Sequence, residues 1–248
     1  MSANCLNCGN HIIEKYCGNC GQSSSIHRYS LKHFIEHDFI HGVWHVDKGI
    51  LFTLKELLTN PGNSVREFVQ GRRANYYNFI TLILLIVGVN SLLSQYTHFR
   101  VSDLMSESTK NTLNDFEKFT TKYPKFVLLI QIPITAFFSF IWFKKAKFNY
   151  SEHLVLNSYK ASVELLIGLL FSVITIFYTN IKGLTIIYYL GLQLIMIVYG
   201  FWFYYQFFSK SAFSKVSLIV KSIMATMSIW LLSLIIGIIV GIVNIVKH

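Results

Sequence analysis

Five long apolar runs, at roughly 79–95, 125–143, 161–179, 184–208 and 216–246, constrain this chain more than any other feature. A helix needs about 20 mostly apolar residues to cross the hydrocarbon core of a bilayer. The pattern therefore predicts an all-α membrane protein of about five transmembrane helices. The first run is short and is extended back to Tyr76; the last is long enough to tilt or to run past the bilayer. Composition agrees, because 53% of the 248 residues are hydrophobic and 14% charged, with a mean hydropathy of +0.46. A soluble domain has about a quarter of its residues charged. No secretory signal peptide is expected, since the start is polar and cysteine-rich; the first apolar run should act as an internal, uncleaved signal. Neither an internal repeat nor a low-complexity tract is apparent.

The net charge of +10 fits a topology signal better than a nucleic-acid surface in so apolar a chain. Lys and Arg fall fourteen to seven in favour of residues 1–78 and the loops 144–160 and 209–215. This bias predicts a cytoplasmic N-terminus and an outer C-terminus. The aromatic run from Tyr199 to Phe208 reads as an interfacial belt at the inner side.

All four cysteines lie in the first 20 residues, as Cys5-x2-Cys8 and Cys17-x2-Cys20. A two-residue spacing lets one tight turn aim both thiolates at a single ion, and four thiolates suit a closed, structural Zn2+ site. Gly9 and Gly21 follow each pair, where the backbone must fold closely around sulfur. Free thiols or disulfides are the alternative. A cytoplasmic N-terminus would keep the thiols reduced, so the topology and metal readings agree. Residues 1–22 form this knuckle module, 23–75 amphipathic interfacial helices, and 76–248 the transmembrane bundle. The knuckle is too short and too weakly basic to suggest nucleic acid.

Between knuckle and bundle, residues 30–58 place Leu31, Phe34, Ile35, Phe39, Val43, Val46, Ile50, Leu54 and Leu57 on one broad helical face. Gly42 and Gly49 weaken the middle. Asn60-Pro61-Gly62 breaks the pattern. Ser64 and Glu67 then read as a capping box for a helix over 65–70, closed by Gly71. His33, His37, His41 and His45 recur every four residues here. Neighbours four apart share a helix face and can hold a metal, with Glu36, Asp38 or Asp47 in reach. The polar side of an interfacial helix explains the row as well.

Two further sets carry ionisable groups. Glu152 and His153 are adjacent before the third run; they could exchange protons, or Ser151 could cap a helix with Glu152 in its first turn. Glu164 and Lys221 each lie about one turn inside a span, where a charge needs a partner, and equal depth suggests that they pair.

Several segments together resemble a bacterial membrane-protein family known only as a domain of unknown function. They are Cys17-Gly18-Asn19-Cys20-Gly21-Gln22, the stretch from Asp47 through Thr53-Leu54-Lys55-Glu56-Leu57-Leu58, Pro61-Gly62, Arg66 to Arg73, Tyr76, and Asn149 to Val155. Where the family has proline after the tyrosine before its first span, this chain has Asn78-Phe79. The resemblance implies a zinc knuckle and a multi-span architecture, and no activity. From the residues, a non-enzymatic adaptor or assembly module comes first: it would recruit a cytoplasmic or membrane protein through the knuckle and interfacial helices. Transport of a solute, ion or lipid through the bundle is the second reading, and a metal-dependent membrane enzyme using the histidine row the third. A cavity reaching Glu164 from one leaflet would favour transport or lipid handling, a second metal beside His37 and His41 the enzyme, and a solid bundle without either the adaptor.

Overall fold

The structure is a computed structural model that describes residues 4–26, 28–31, 49–97, 99 and 124–247, with the side chains of 124–129 and 232–247 set aside. The protein is an all-α membrane protein with an N-terminal cysteine cluster. Among the described residues there is no strand, only the isolated bridges Asn4 to His11 and Tyr16 to Ser23. Two short helices, α1 (Ile50–Thr59) and α2 (Pro61–Val69), precede the bundle. The bundle contains α3 (Phe79–Leu93), α4 (Pro124–Trp142) and α5 (Tyr150–Phe177). It continues with α6 (Ile181–Ile186), which passes through a π-helical segment, Ile187–Leu192, into α7 (Gln193–Phe208), and ends with α8 (Lys215–Lys247).

Three stretches are long and apolar enough to cross a membrane: Phe79–Tyr96, Tyr150–Phe177 and Ile181–Phe208. The helices α4 and α8 occupy the other two expected positions. Large apolar side chains cover the outside of the bundle, Phe177 at 83% and Leu190 at 70% exposure. Such a surface suits lipid, not water.

Hydropathy places several boundaries wrongly, each for a physical reason. The helix α5 begins at Tyr150, eleven residues before the third apolar run, because its first three turns are polar yet buried: Ser151, Glu152, His153, Asn157, Ser158 and Lys160. Its cap is Asn149, not Ser151; the Asn149 side chain accepts from the Glu152 amide at 2.9 Å and the Glu152 carboxylate from the Asn149 amide at 2.7 Å. This reciprocal pair closes a capping box. The Ser64–Glu67 capping box is not formed. Pro61 starts α2, where its missing N–H costs nothing; the Ser64 hydroxyl donates to Glu56 at 2.6 Å, and Glu67 pairs with Arg72. Gly71 follows the α2 cap Gln70 with φ +113, as the C-terminal glycine should. Asn78 caps α3, accepting from the amides of Ile80 and Thr81.

The aromatic run of α7 is core, not belt. Tyr199, Phe203, Tyr204, Phe207 and Phe208 are buried. Phe208 stacks on Phe143 at 3.7 Å. These residues meet α2, because Gly62 brings the backbones together: a Cβ there would lie 2.3 Å from the Phe203 carbonyl oxygen and 2.4 Å from the Phe207 nitrogen. Of the amphipathic face, Ile50, Leu54 and Leu57 pack into this core as expected.

Candidate functional site

The two cysteine knuckles are copies of one turn. The Cys5 amide donates to Asn10 O and the Gly9 amide to Cys5 O, both at 2.8 Å. Twelve residues on, Cys17 donates to Gln22 O and Gly21 to Cys17 O at the same distance. The bridges Asn4–His11 and Tyr16–Ser23 keep the same offset. In the sequence this repeat is confined to Cys-x-Asn-Cys-Gly, shared by Cys5–Gly9 and Cys17–Gly21, and the flanking positions differ. Gly9 and Gly21 hold φ +79 and +72, a region closed to most side chains.

All four sulfurs lie within 4.8 Å of one another, with Cys5–Cys20 and Cys8–Cys17 at 3.5 Å. These separations exclude disulfides. A tetrahedral ion with Zn–S bonds of about 2.3 Å needs sulfurs about 3.8 Å apart, so the cluster fits such an ion. The thiols are not equally prepared for it. Although the Cys8 amide pulls the Cys5 pKa down, burial and the neighbouring Cys20 and Cys17 thiols push it up from 9.0 to about 11. Two others are lowered. The Asn10 amide, then the Asn19 side chain, pull the Cys8 pKa from 9.0 to about 6. The Gln22 amide likewise lowers that of Cys20. The residues could therefore hold a metal ion through Cys5, Cys8, Cys17 and Cys20.

The ribbon does not hang free. Buried Gln22 accepts through Oε1 from the amides of Arg73 and Ala74, at 2.9 and 3.2 Å. Leu6 fills the space beside Gly71. Beyond the ribbon, the Arg28 guanidinium forks onto Glu152 and also donates to Lys147 O at 2.7 Å. The Glu152 carboxylate, its first and largest cause, raises the Arg28 pKa. Asn149 donates to Tyr29 O at 2.8 Å, and the Arg73 guanidinium lies 4.0 Å over the Tyr29 ring. The knuckle, the end of α2 and the start of α5 thus meet at one place, though they are far apart in sequence.

Glu152 and His153 point opposite ways, as adjacent helical residues do. Glu152 faces Arg28. His153 is buried, its Nδ1 2.8 Å from Ser139 Oγ and its ring stacked on Phe208. Asn157 donates to Ser139 Oγ at 2.9 Å and accepts from the Tyr204 hydroxyl at 2.6 Å. Together these bonds join α4, α5 and α7. His153 Nε2 has no hydrogen-bond partner among the described residues. The pair forms no acid–base couple.

Glu164 and Lys221 do not pair. Glu164 is bonded to Lys160, one turn earlier on α5. Lys160 is therefore a buried helical residue, not the end of a loop; its ammonium also lies 5.7 Å from the centre of the Tyr204 ring. Lys221 donates instead to Trp142 O at 2.7 Å. That carbonyl ends α4, where helix carbonyls lack internal partners and attract cations.

The ion pair lines a chamber of 340 Å³. Asn90 of α3, Gln131 and Thr135 of α4, Met196 of α7 and Trp230 of α8 complete its wall. Lys160 lies about 15 Å along α5 from Tyr150, at 1.5 Å per residue. Sequence reasoning missed the chamber because its polar residues are scattered one or two to a helix. The histidine row His33, His37, His41 and His45, with Glu36, Asp38 and Asp47, lies outside the described residues.

Residues 47–89 match the model of a family described as "Protein of unknown function (DUF3667)". The matched part includes α1, α2 and the Gly71–Ala74 surface on which the ribbon docks. No curated protein and no solved structure matches the chain.

Proposed function

We propose that this chain is a five-span protein of the bacterial cytoplasmic membrane. It binds a small zwitterionic solute or lipid head in the chamber around Lys160 and Glu164. A zinc ribbon forms its cytoplasmic cap. The chamber carries this reading: residues from α3, α4, α5, α7 and α8 reach it, and it holds an ion pair and side-chain amides. Its 340 Å³ lies within the usual range of about 300–1,000 Å³ for small-molecule sites. Intramembrane ionisable groups mark ligand pathways more often than structural ties. The excess of Lys and Arg that sets the N-terminus inside persists after Lys160 is moved from loop to helix. Reduced cysteines in the cytoplasm suit zinc best among common ions.

Gly168 supplies the test. It lines the chamber, and a Cβ added there meets nothing within 4 Å. Gly168→Leu should fill the chamber and leave the fold intact. Native mass spectrometry of detergent-extracted protein should show a small-molecule adduct on the wild type and none on Gly168→Leu, with equal melting temperatures. Equal adducts on both, or none on the wild type, would remove the reading.

The adaptor reading keeps one observation in its favour. On the ribbon, Ile13 is 90% and Tyr16 64% exposed. Ile13→Glu with Tyr16→Glu should abolish a crosslink to a membrane or cytoplasmic partner and spare the chamber adduct.

A further inference from the structure

A second cavity, of 430 Å³, opens on the ribbon side of the bundle. It lies between the segment after the ribbon, the end of α2 and the turn joining α4 to α5. Four cations line it, Arg28, Arg66, Arg73 and Lys147, against the single carboxylate of Glu152. That carboxylate is already engaged by the Arg28 fork and the Asn149 amide. Arg66 has no carboxylate partner among the described residues. It donates to Phe207 O at 2.7 Å and lies 5.3 Å over the Phe148 ring. It also donates to Ser211 Oγ at 3.3 Å, and burial lowers its pKa.

Lys147 adds an independent observation. It holds φ +62 and is the only non-glycine residue with positive φ among those described. An L residue there is strained, and glycine would relieve the strain. Strained backbone that carries a functional group points to a site. Here the turn directs its carbonyl to Arg28 and sets Lys147 among the residues that line the cavity.

We propose that this cavity binds a phosphate group, free or carried by an anionic lipid. Guanidinium forks match phosphate oxygens in pairs, and a lysine adds a point charge. A phosphate monoester brings up to two negative charges and three acceptor oxygens, more than a carboxylate. Basic pockets of this kind beside membrane helices take phosphorylated head groups. The site is separate from the chamber and does not depend on its occupant.

The experiment uses the full chain with its metal. Melting temperature is followed in detergent with inorganic phosphate against chloride at matched ionic strength. It is then followed in phosphatidylcholine nanodiscs with and without phosphatidic acid. A saturable rise is expected in one medium at least. Response to inorganic phosphate identifies the free anion; response to phosphatidic acid alone identifies the lipid. Lys147→Gly removes a cation and relieves the backbone, so its unliganded melting temperature should be equal or higher and its apparent affinity at least ten-fold weaker. Arg66→Lys, which keeps charge but loses the fork, should also bind more weakly. No rise in either medium overturns the proposal, as does an affinity unchanged in both variants.

Discussion

Arg28 and Glu152 meet across 124 positions of sequence through a two-bond fork, Nε to Oε1 at 2.6 Å and Nη2 to Oε2 at 2.8 Å. The Glu152 side chain is 4% exposed and that of Arg28 60%. Arg28→Ala therefore leaves a buried carboxylate with the Asn149 amide as its remaining donor. The expected loss is about 1–3 kcal/mol, toward the lower figure because Arg28 is half in water. A thermal double-mutant cycle with Glu152→Gln should show the two losses strongly non-additive. Additive losses would mean that the fork holds nothing.

Metal removal should loosen the ribbon and leave the bundle folded. Cys8→Ser should lose the ion and expose 4–26 to protease, with helical circular dichroism nearly unchanged. The Cys8 thiol has a depressed folded pKa, so its contribution is complete above about pH 9 and fades as pH falls through about 6. Zinc retention measured by elemental analysis should accordingly be high at pH 8 and low at pH 5.5 in the presence of a weak chelator. A metal content independent of pH and of Cys8 would contradict the site.

Lys160 and Glu164 should behave as a couple. Removing one member of a buried pair costs about 3–5 kcal/mol; partial exposure of Glu164 favours the low end. Lys160→Met or Glu164→Gln alone should lower the melting temperature, and the double variant should recover most of the loss. Lys221→Met removes the bond to the Trp142 carbonyl and a contact 5.6 Å over the Phe213 ring, about 1–2 kcal/mol. It should be additive with Glu164→Gln. Coupling between 164 and 221 in place of 160 would reverse this assignment.

Gly62→Ala should be poorly tolerated although alanine favours helix. Its Cβ would collide with the backbone of α7 at Phe203 and Phe207. Backbone cannot rotate away as a side chain can, so a loss of about 1–3 kcal/mol is expected. Detergent melting curves would test it, and a neutral result would show that α2 is not seated on α7.

The sequence speaks where one residue type is bound to one geometry. Two Cys-x2-Cys pairs and their glycines specified the four-cysteine cluster, and apolar runs located the long helices. What stayed hidden depended on pairing between distant segments. Nothing local at Lys160 tells a solvated loop from a buried turn. Its burial depends on Gly200, where an added Cβ would lie 3.3 Å from the Lys160 Cε, and on Tyr204. Lys221 went to a helix end, not to Glu164, because a nearer lysine had already answered the charge.

The helix α5 runs for 28 residues without a break. One end is pinned through Glu152 to Arg28, just after the ribbon, and its middle forms the chamber wall at Lys160 and Glu164. A rod of this kind has no hinge in which to absorb a displacement. The carboxylate that holds Arg28 and the ion pair are therefore carried on one continuous helix, with no break between them. The compliant element is its neighbour, where six π-helical residues, Ile187–Leu192, interrupt the regular winding between α6 and α7.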